Sequence, residues 1–118
     1  TLVIDTLDAA ESMATTYVCA QKGIKDIESP GYGKGYTFLA EEFKRFLRQL
    51  DAVVESGTNV CLVAHAMMRK FEQPDELGAY DRWEMKLSKN VSPLVKEWCD
   101  ALLFMNYKFL PLTYYFLS

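Results

Sequence analysis

A chain of 118 residues is long enough to bury a core and too short for more than one ordinary domain. Half of the residues are hydrophobic and 25% are charged, proportions that exclude the disordered and fibrous classes. The net charge of -3 supplies no overall positive field to attract a polyanion, so nucleic-acid binding would have to rest on a local basic patch.

Cys19, Cys61 and Cys99 are odd in number and show neither a CxxC nor a Cys/His spacing. This excludes a recognisable zinc site or disulfide framework and predicts buried, reduced thiols. There is no signal peptide and no apolar run long enough to span a bilayer, which predicts a cytoplasmic protein without a membrane partner.

Along the chain, Leu2-Val3-Ile4 is a short apolar run rich in β-branched residues, the pattern of a strand buried on both faces. The sequence opens directly in this strand without a Met, so it is expected to be a fragment of a longer protein. Asp8 with Glu11 three residues later predicts a capping box. Ala10, Met13, Ala14, Tyr17 and Val18 then trace a helical stripe that stops near Gly23. Ser29 to Gly35 is turn-prone.

The strongest helix is predicted from about Tyr36 to Ser56, with Leu39, Phe43, Phe46, Leu47, Leu50, Val53 and Val54 on one face. Asn59 to Ala66 reads as a second buried strand. Residues 67 to 82 are polar, mixed in charge and interrupted by Pro74 and Gly78, which predicts a long loop. Ser92-Pro93 starts a short helix with Leu94, Val95 and Trp98 facing inward. Ala101 to Tyr107 reads as a third strand. Strands separated by helices give an α/β fold with a mostly parallel sheet flanked by helices. In such sheets ligands sit beyond the carboxyl ends of the strands, where Asp5, Thr6, Asp8, His65 and residues 106 to 108 fall.

Asp5 ends the first apolar run in the manner of a Walker B aspartate. A carboxylate there holds Mg2+ beside nucleotide phosphates, and the competing reading is an ordinary strand-end polar residue. His65 is the single histidine. At the end of a strand neighbouring that of Asp5 it is placed to bond a γ-phosphate or an attacking water. Gly31-Tyr32-Gly33-Lys34-Gly35 lacks the G-x-x-x-x-G-K-[ST] spacing, follows no predicted strand and is read as a turn. Arg69, Lys70 and Arg82, interleaved with Phe71, Tyr80 and Trp83, combine charge with stacking surface for single strands. Neighbouring carboxylates nearly cancel that charge.

Leu2-Val3-Ile4-Asp5-Thr6-Leu7-Asp8, Gly31-Tyr32-Gly33-Lys34-Gly35-Tyr36, Ala64-His65-Ala66, Arg69-Lys70-Phe71 and Tyr80-Asp81-Arg82-Trp83-Glu84 occur in this order. They are followed by Leu87-Ser88-Lys89 and Lys96-Glu97-Trp98-Cys99-Asp100. Together they resemble phage-encoded RecA-like P-loop nucleotide-binding proteins, the AAA-type ATPases associated with single-strand annealing recombination. The resemblance covers roughly residues 1 to 108, a partial RecA-like domain from Walker B onward, and leaves 109 to 118 as a divergent apolar tail.

The resemblance implies an ATP-binding core that works on single-stranded DNA, as a homo-oligomer, in a phage or prophage setting. Asp5 and His65 would be the catalytic pair, with ATP and Mg2+ as cofactors. Asp5, Thr6, Lys86 and Lys89 would hold the nucleotide, the two lysines reaching it in the next subunit. Arg69, Lys70, Phe71, Tyr80 and Arg82 would contact DNA. The alternatives are a degenerate binding or assembly module, motivated by the missing Walker A motif, and a metal-dependent hydrolase using Asp5, Asp8 and His65.

Overall fold

β-branched residues favour extended backbone, and Leu2–Asp5 form strand β1 in the computed structural model. The structure describes residues 1–72 and 79–107, with the backbone alone for 71, 72, 79 and 80. Strand β2, Val60–Val63, lies parallel to β1, with Leu2 opposite Val60 and Asp5 opposite Val63. Parallel neighbours require a long crossover, and here it is two helices, α1 (Leu7–Lys22) and α2 (Lys34–Glu55). The α/β class read from the sequence is therefore present, as a two-stranded parallel sheet with helices.

Helix α1 starts differently from expectation. Thr6, in extended conformation, is the N-cap and accepts a bond from the Ala9 backbone N–H at 3.2 Å. Asp8 and Glu11 are not a capping box: their carboxylates reach out of the helix to other elements. The threonine meets the geometric need first, two residues closer to the strand, and frees both acids. At the other end Gly23, at φ 63°, closes the helix with bonds back to Ala20 and Cys19, a conformation that costs a glycine little.

Helix α2 carries the core. Leu39, Phe43, Leu47 and Leu50 recur at helical spacing and are all buried. They meet Leu7 of α1, Leu87 and Val91 of the following turn, and Val95 of a third helix, α3 (Ser92–Trp98). Gly35 lies in the first turn of α2, where an added Cβ would sit 1.7 Å from the Ile27 carbonyl oxygen. Of the turn-prone segment only Gly35, at its end, is closely packed; Tyr32, Gly33 and Lys34 are exposed. Helix α3 begins at Ser92-Pro93 as predicted, with Leu94 and Trp98 packed on the core beside Val95.

Three expectations are corrected. Residues 67 to 82 are no loop: Ala66–Glu72 form β3 and Ala79–Met85 form β4, an antiparallel pair in which Met68 faces Trp83 and Arg69 faces Arg82. Both strands are mostly exposed along their described length, so no apolar alternation marks them, and cross-strand pairing supplies what hydropathy conceals. Ala101 to Tyr107 contain no strand; Leu103, Met105 and Tyr107 are exposed, and no described strand pairs with them. Strand β1 is not buried on both faces, since Leu2 and Val3 are exposed.

The cysteines are free, but none is buried as expected: Cys19 and Cys99 are half-buried, and Cys61 is exposed because its neighbours Val60 and Leu62 are the residues of β2 that pack on the core. Among the described residues no helix is long and apolar enough to cross a membrane. The tail at 109 to 118 lies outside the described residues.

Candidate functional site at the strand tips

The register that pairs Asp5 with Val63 brings two strand ends side by side. Asp5 is the last residue of β1, and His65 follows β2 after one intervening residue, Ala64. The Asp5 carboxylate is exposed and makes no hydrogen bond or ion pair among the described residues. The peptide to Thr6 is cis. An uncommitted carboxylate at the carboxyl end of a parallel strand is a hard oxygen donor of the type that suits Mg2+. The residues therefore fit the metal half of a nucleotide site. The 118 residues hold no G-x-x-x-x-G-K-[ST] segment to cradle the phosphates.

His65 is held from behind by Asp8. One Asp8 oxygen accepts from the His65 backbone N–H at 3.1 Å, and the other meets ring Nδ1 at 2.8 Å. A carboxylate only accepts, so Nδ1 carries the proton. In a neutral ring Nε2 is then an acceptor and in a protonated ring a second donor, on a side chain that remains 68% exposed. Burial pushes the Asp8 carboxyl up, but the His65 ring and backbone bonds, with a further bond from Thr6, more than offset this. They hold Asp8 well below the usual carboxylate range.

One helical turn further on, Glu11 accepts from the Ser88 backbone N–H with both oxygens, at 3.1 and 2.9 Å. The Lys86 N–H donates to the His65 carbonyl at 2.7 Å. The segments on either side of the β3–β4 hairpin, at 65 and at 88, are thus fastened to α1 by two carboxylates three residues apart. They lie on the same helix face, so one rigid element addresses both.

The predicted site residues separate into two groups. Asp5, Thr6 and His65 gather at the strand tips, with Lys86 tied to His65 through its backbone. Arg69, Lys70, Arg82 and Lys89 line a single concavity between the hairpin and α3, together with Glu84 and Lys96. The side chains of Phe71 and Tyr80 lie outside the described ones; their backbones are register partners.

Glu84 is buried, with Arg82 Nε at 2.7 Å and Lys96 Nζ at 2.5 Å. Burial raises its pKa, and the two cations outweigh burial and lower it overall. The hydrolase ligand set does not form: among the described residues no three His, Cys, Asp or Glu side chains are grouped to hold a metal ion. Asp8 has both oxygens committed to His65.

A model of the AAA domain family matches residues 1–113. The chain belongs to the AAA domain family. No curated protein and no solved structure matches it. Membership makes this an ATPase-type domain, and nucleotide binding, usually with Mg2+, is what an AAA domain implies. The strand-tip carboxylate lies where an open α/β sheet of this kind receives its ligand.

Glu11, Glu84 and Lys96 do not stand out as site residues in the sequence, and Asp8 stands out there as a helix cap or a hydrolase ligand rather than as the partner of His65. The i, i+3 spacing of Asp8 and Glu11 was visible, but capping and outward bonding share that spacing. Glu84 and Lys96 sit in strand and helix with no local signal.

Proposed function

We propose that this AAA domain is the ATP-binding core of an ATPase that works on single-stranded DNA in a phage or prophage recombination system, as a homo-oligomer in the bacterial cytoplasm. The observation that carries the reading is the placement of Asp5 and His65 on adjacent parallel strand ends. In it Asp5 holds a Mg2+ ion beside the nucleotide phosphates and Thr6 lies against the same group. His65, its ring fixed by Asp8, accepts from the attacking water through Nε2 when the ring is neutral and donates from Nε2 to a terminal phosphate oxygen when the ring is protonated, a role suited to reporting triphosphate. Lys86 adds positive charge to a phosphate, where cations offset the charge that develops during transfer. The ordered motifs from Leu2 to Asp100 support the recombination setting.

Two measurements test the proposal. Coding DNA upstream of Thr1 is expected to encode a strand followed by G-x-x-x-x-G-K-[ST]. Protein that includes that segment is expected to bind ATP with Mg2+ in calorimetry, with Asp5→Asn weakening the Mg2+-dependent part by at least about tenfold, roughly 1.4 kcal/mol. Absence of both ATP binding and single-strand binding rejects it. The alternative, a non-catalytic binding or assembly module, would be supported by upstream coding DNA that encodes no such motif.

A further inference from the structure

The concavity between β3–β4 and α3 has a charge opposite to that of the chain. The protein carries 13 Lys and Arg against 16 Asp and Glu. Here Arg69, Lys70, Arg82, Lys89 and Lys96 surround one carboxylate, Glu84. That carboxylate is 7% exposed and engaged by Arg82 and Lys96, so it does nothing for the others. Lys70 and Lys89 form no ion pair among the described residues.

Arg69 stands directly across the ladder from Arg82, whose guanidinium Glu84 already engages. Arg69 finds no carboxylate of its own. It donates through Nη2 to the Leu87 carbonyl at 2.9 Å, which fixes the guanidinium and leaves other N–H groups uncommitted. Ser92 lines the same wall, 3% exposed, and its hydroxyl has no partner among the described residues. A buried hydroxyl of this kind is ordinarily satisfied.

We infer that this concavity is a phosphodiester site: it seats the backbone of a single strand, through Arg69, Lys70, Lys89 and Lys96, with Glu84 as the internal brace that orients Arg82 and Lys96. The inference rests on the single-strand reading above and adds to it Lys96, Ser92 and Glu84. It also moves Lys89 from the nucleotide to the strand. None of Asp5, Thr6, His65 or Lys86 lines the concavity, so the two phosphate-directed regions are separate surfaces. The concavity has a volume of about 310 Å³. Cations contributed by two strands, a turn and a helix follow a backbone better than they enclose one terminal phosphate.

The test is fluorescence anisotropy of a labelled oligothymidylate against the protein over a salt series. Lys70→Gln with Lys89→Gln, both at exposed positions, is expected to weaken binding about tenfold. The same pair should reduce the slope of log affinity against log salt by about 1.4, two single-strand phosphate contacts. Lys22→Gln with Lys25→Gln changes net charge equally, away from the concavity, and is expected to leave both quantities unchanged. Circular dichroism verifies that each variant is folded.

Equal losses in the two double variants overturn the site, as does oligothymidylate binding that ignores Lys70 and Lys89. Either result leaves single-strand binding itself standing. No oligothymidylate binding by the parent protein overturns the single-strand reading as well. Labelled ATP that depends on Lys70 and Lys89 while oligothymidylate does not assigns the phosphate to a nucleotide and overturns the strand.

Discussion

Asp8 commits both carboxylate oxygens to one residue 57 positions away, and this makes it a sensitive point in the molecule. Its folded-state pKa is depressed, so its contribution to stability is complete above the ordinary carboxylate value, about 3.9. That contribution is lost as pH falls below that value toward the folded-state pKa. Asp8→Asn keeps an oxygen for the His65 N–H but sets an amide against Nδ1. It is expected to cost about 1–2 kcal/mol at neutral pH in urea denaturation. The difference from the parent protein should shrink as pH drops below about 4. Nitrogen-15 NMR of the ring provides an independent check, since the parent holds the proton on Nδ1 and the variant releases that preference. A loss of stability with the tautomer unchanged would mean that Asp8 serves packing alone.

At the scale of elements, the entry to α2 shows what a glycine does when neighbouring backbone occupies the space of its Cβ. Gly35→Ala places a methyl against the Ile27 carbonyl, and backbone cannot rotate away as a side chain can. The expected loss is about 3 kcal/mol or more, read as a shift of the urea midpoint with an unchanged slope. The same mutation at Gly23 meets no atom within 4 Å and carries only the cost of a left-handed backbone, about 1 kcal/mol.

Elements with their own hydrophobic period were legible in the sequence. α2 announced itself through Leu39, Phe43, Leu47 and Leu50, and α3 through Ser92-Pro93. β3 and β4 were not, because their described side chains are mostly solvated and their pairing is non-local. Ala101 to Tyr107 misled in the opposite direction, being apolar without a partner strand. The placement of Asp5 and His65 at neighbouring strand ends was legible from the apolar runs that precede them. Their buttresses, Asp8 and Glu11, required the tertiary contacts across 57 and 77 residues.

For the whole molecule, the core is one cluster joining α1, α2, α3 and the turn through Leu87 and Val91. Phe43 is 1% exposed within it and meets Phe46 edge-on at 5.2 Å. Phe43→Ala is expected to remove about 3–5 kcal/mol. A domain of this size commonly has about 5–15 kcal/mol in all, so the variant should unfold at markedly lower temperature in calorimetry. A drop below about 1 kcal/mol would show that the cluster is not the seat of stability.

The two carboxylates of α1 make the hairpin a lever. Its fulcrum is the helix that starts two residues after Asp5, and its arm is β3, seven residues or roughly 23 Å long. A tilt of about 5° at the fulcrum displaces the end of such a strand by about 2 Å, close to half the spacing between paired strands. Motion too small to disturb the β1–β2 register would therefore carry Arg69, Lys70 and Arg82, about halfway along the arm, by about 1 Å.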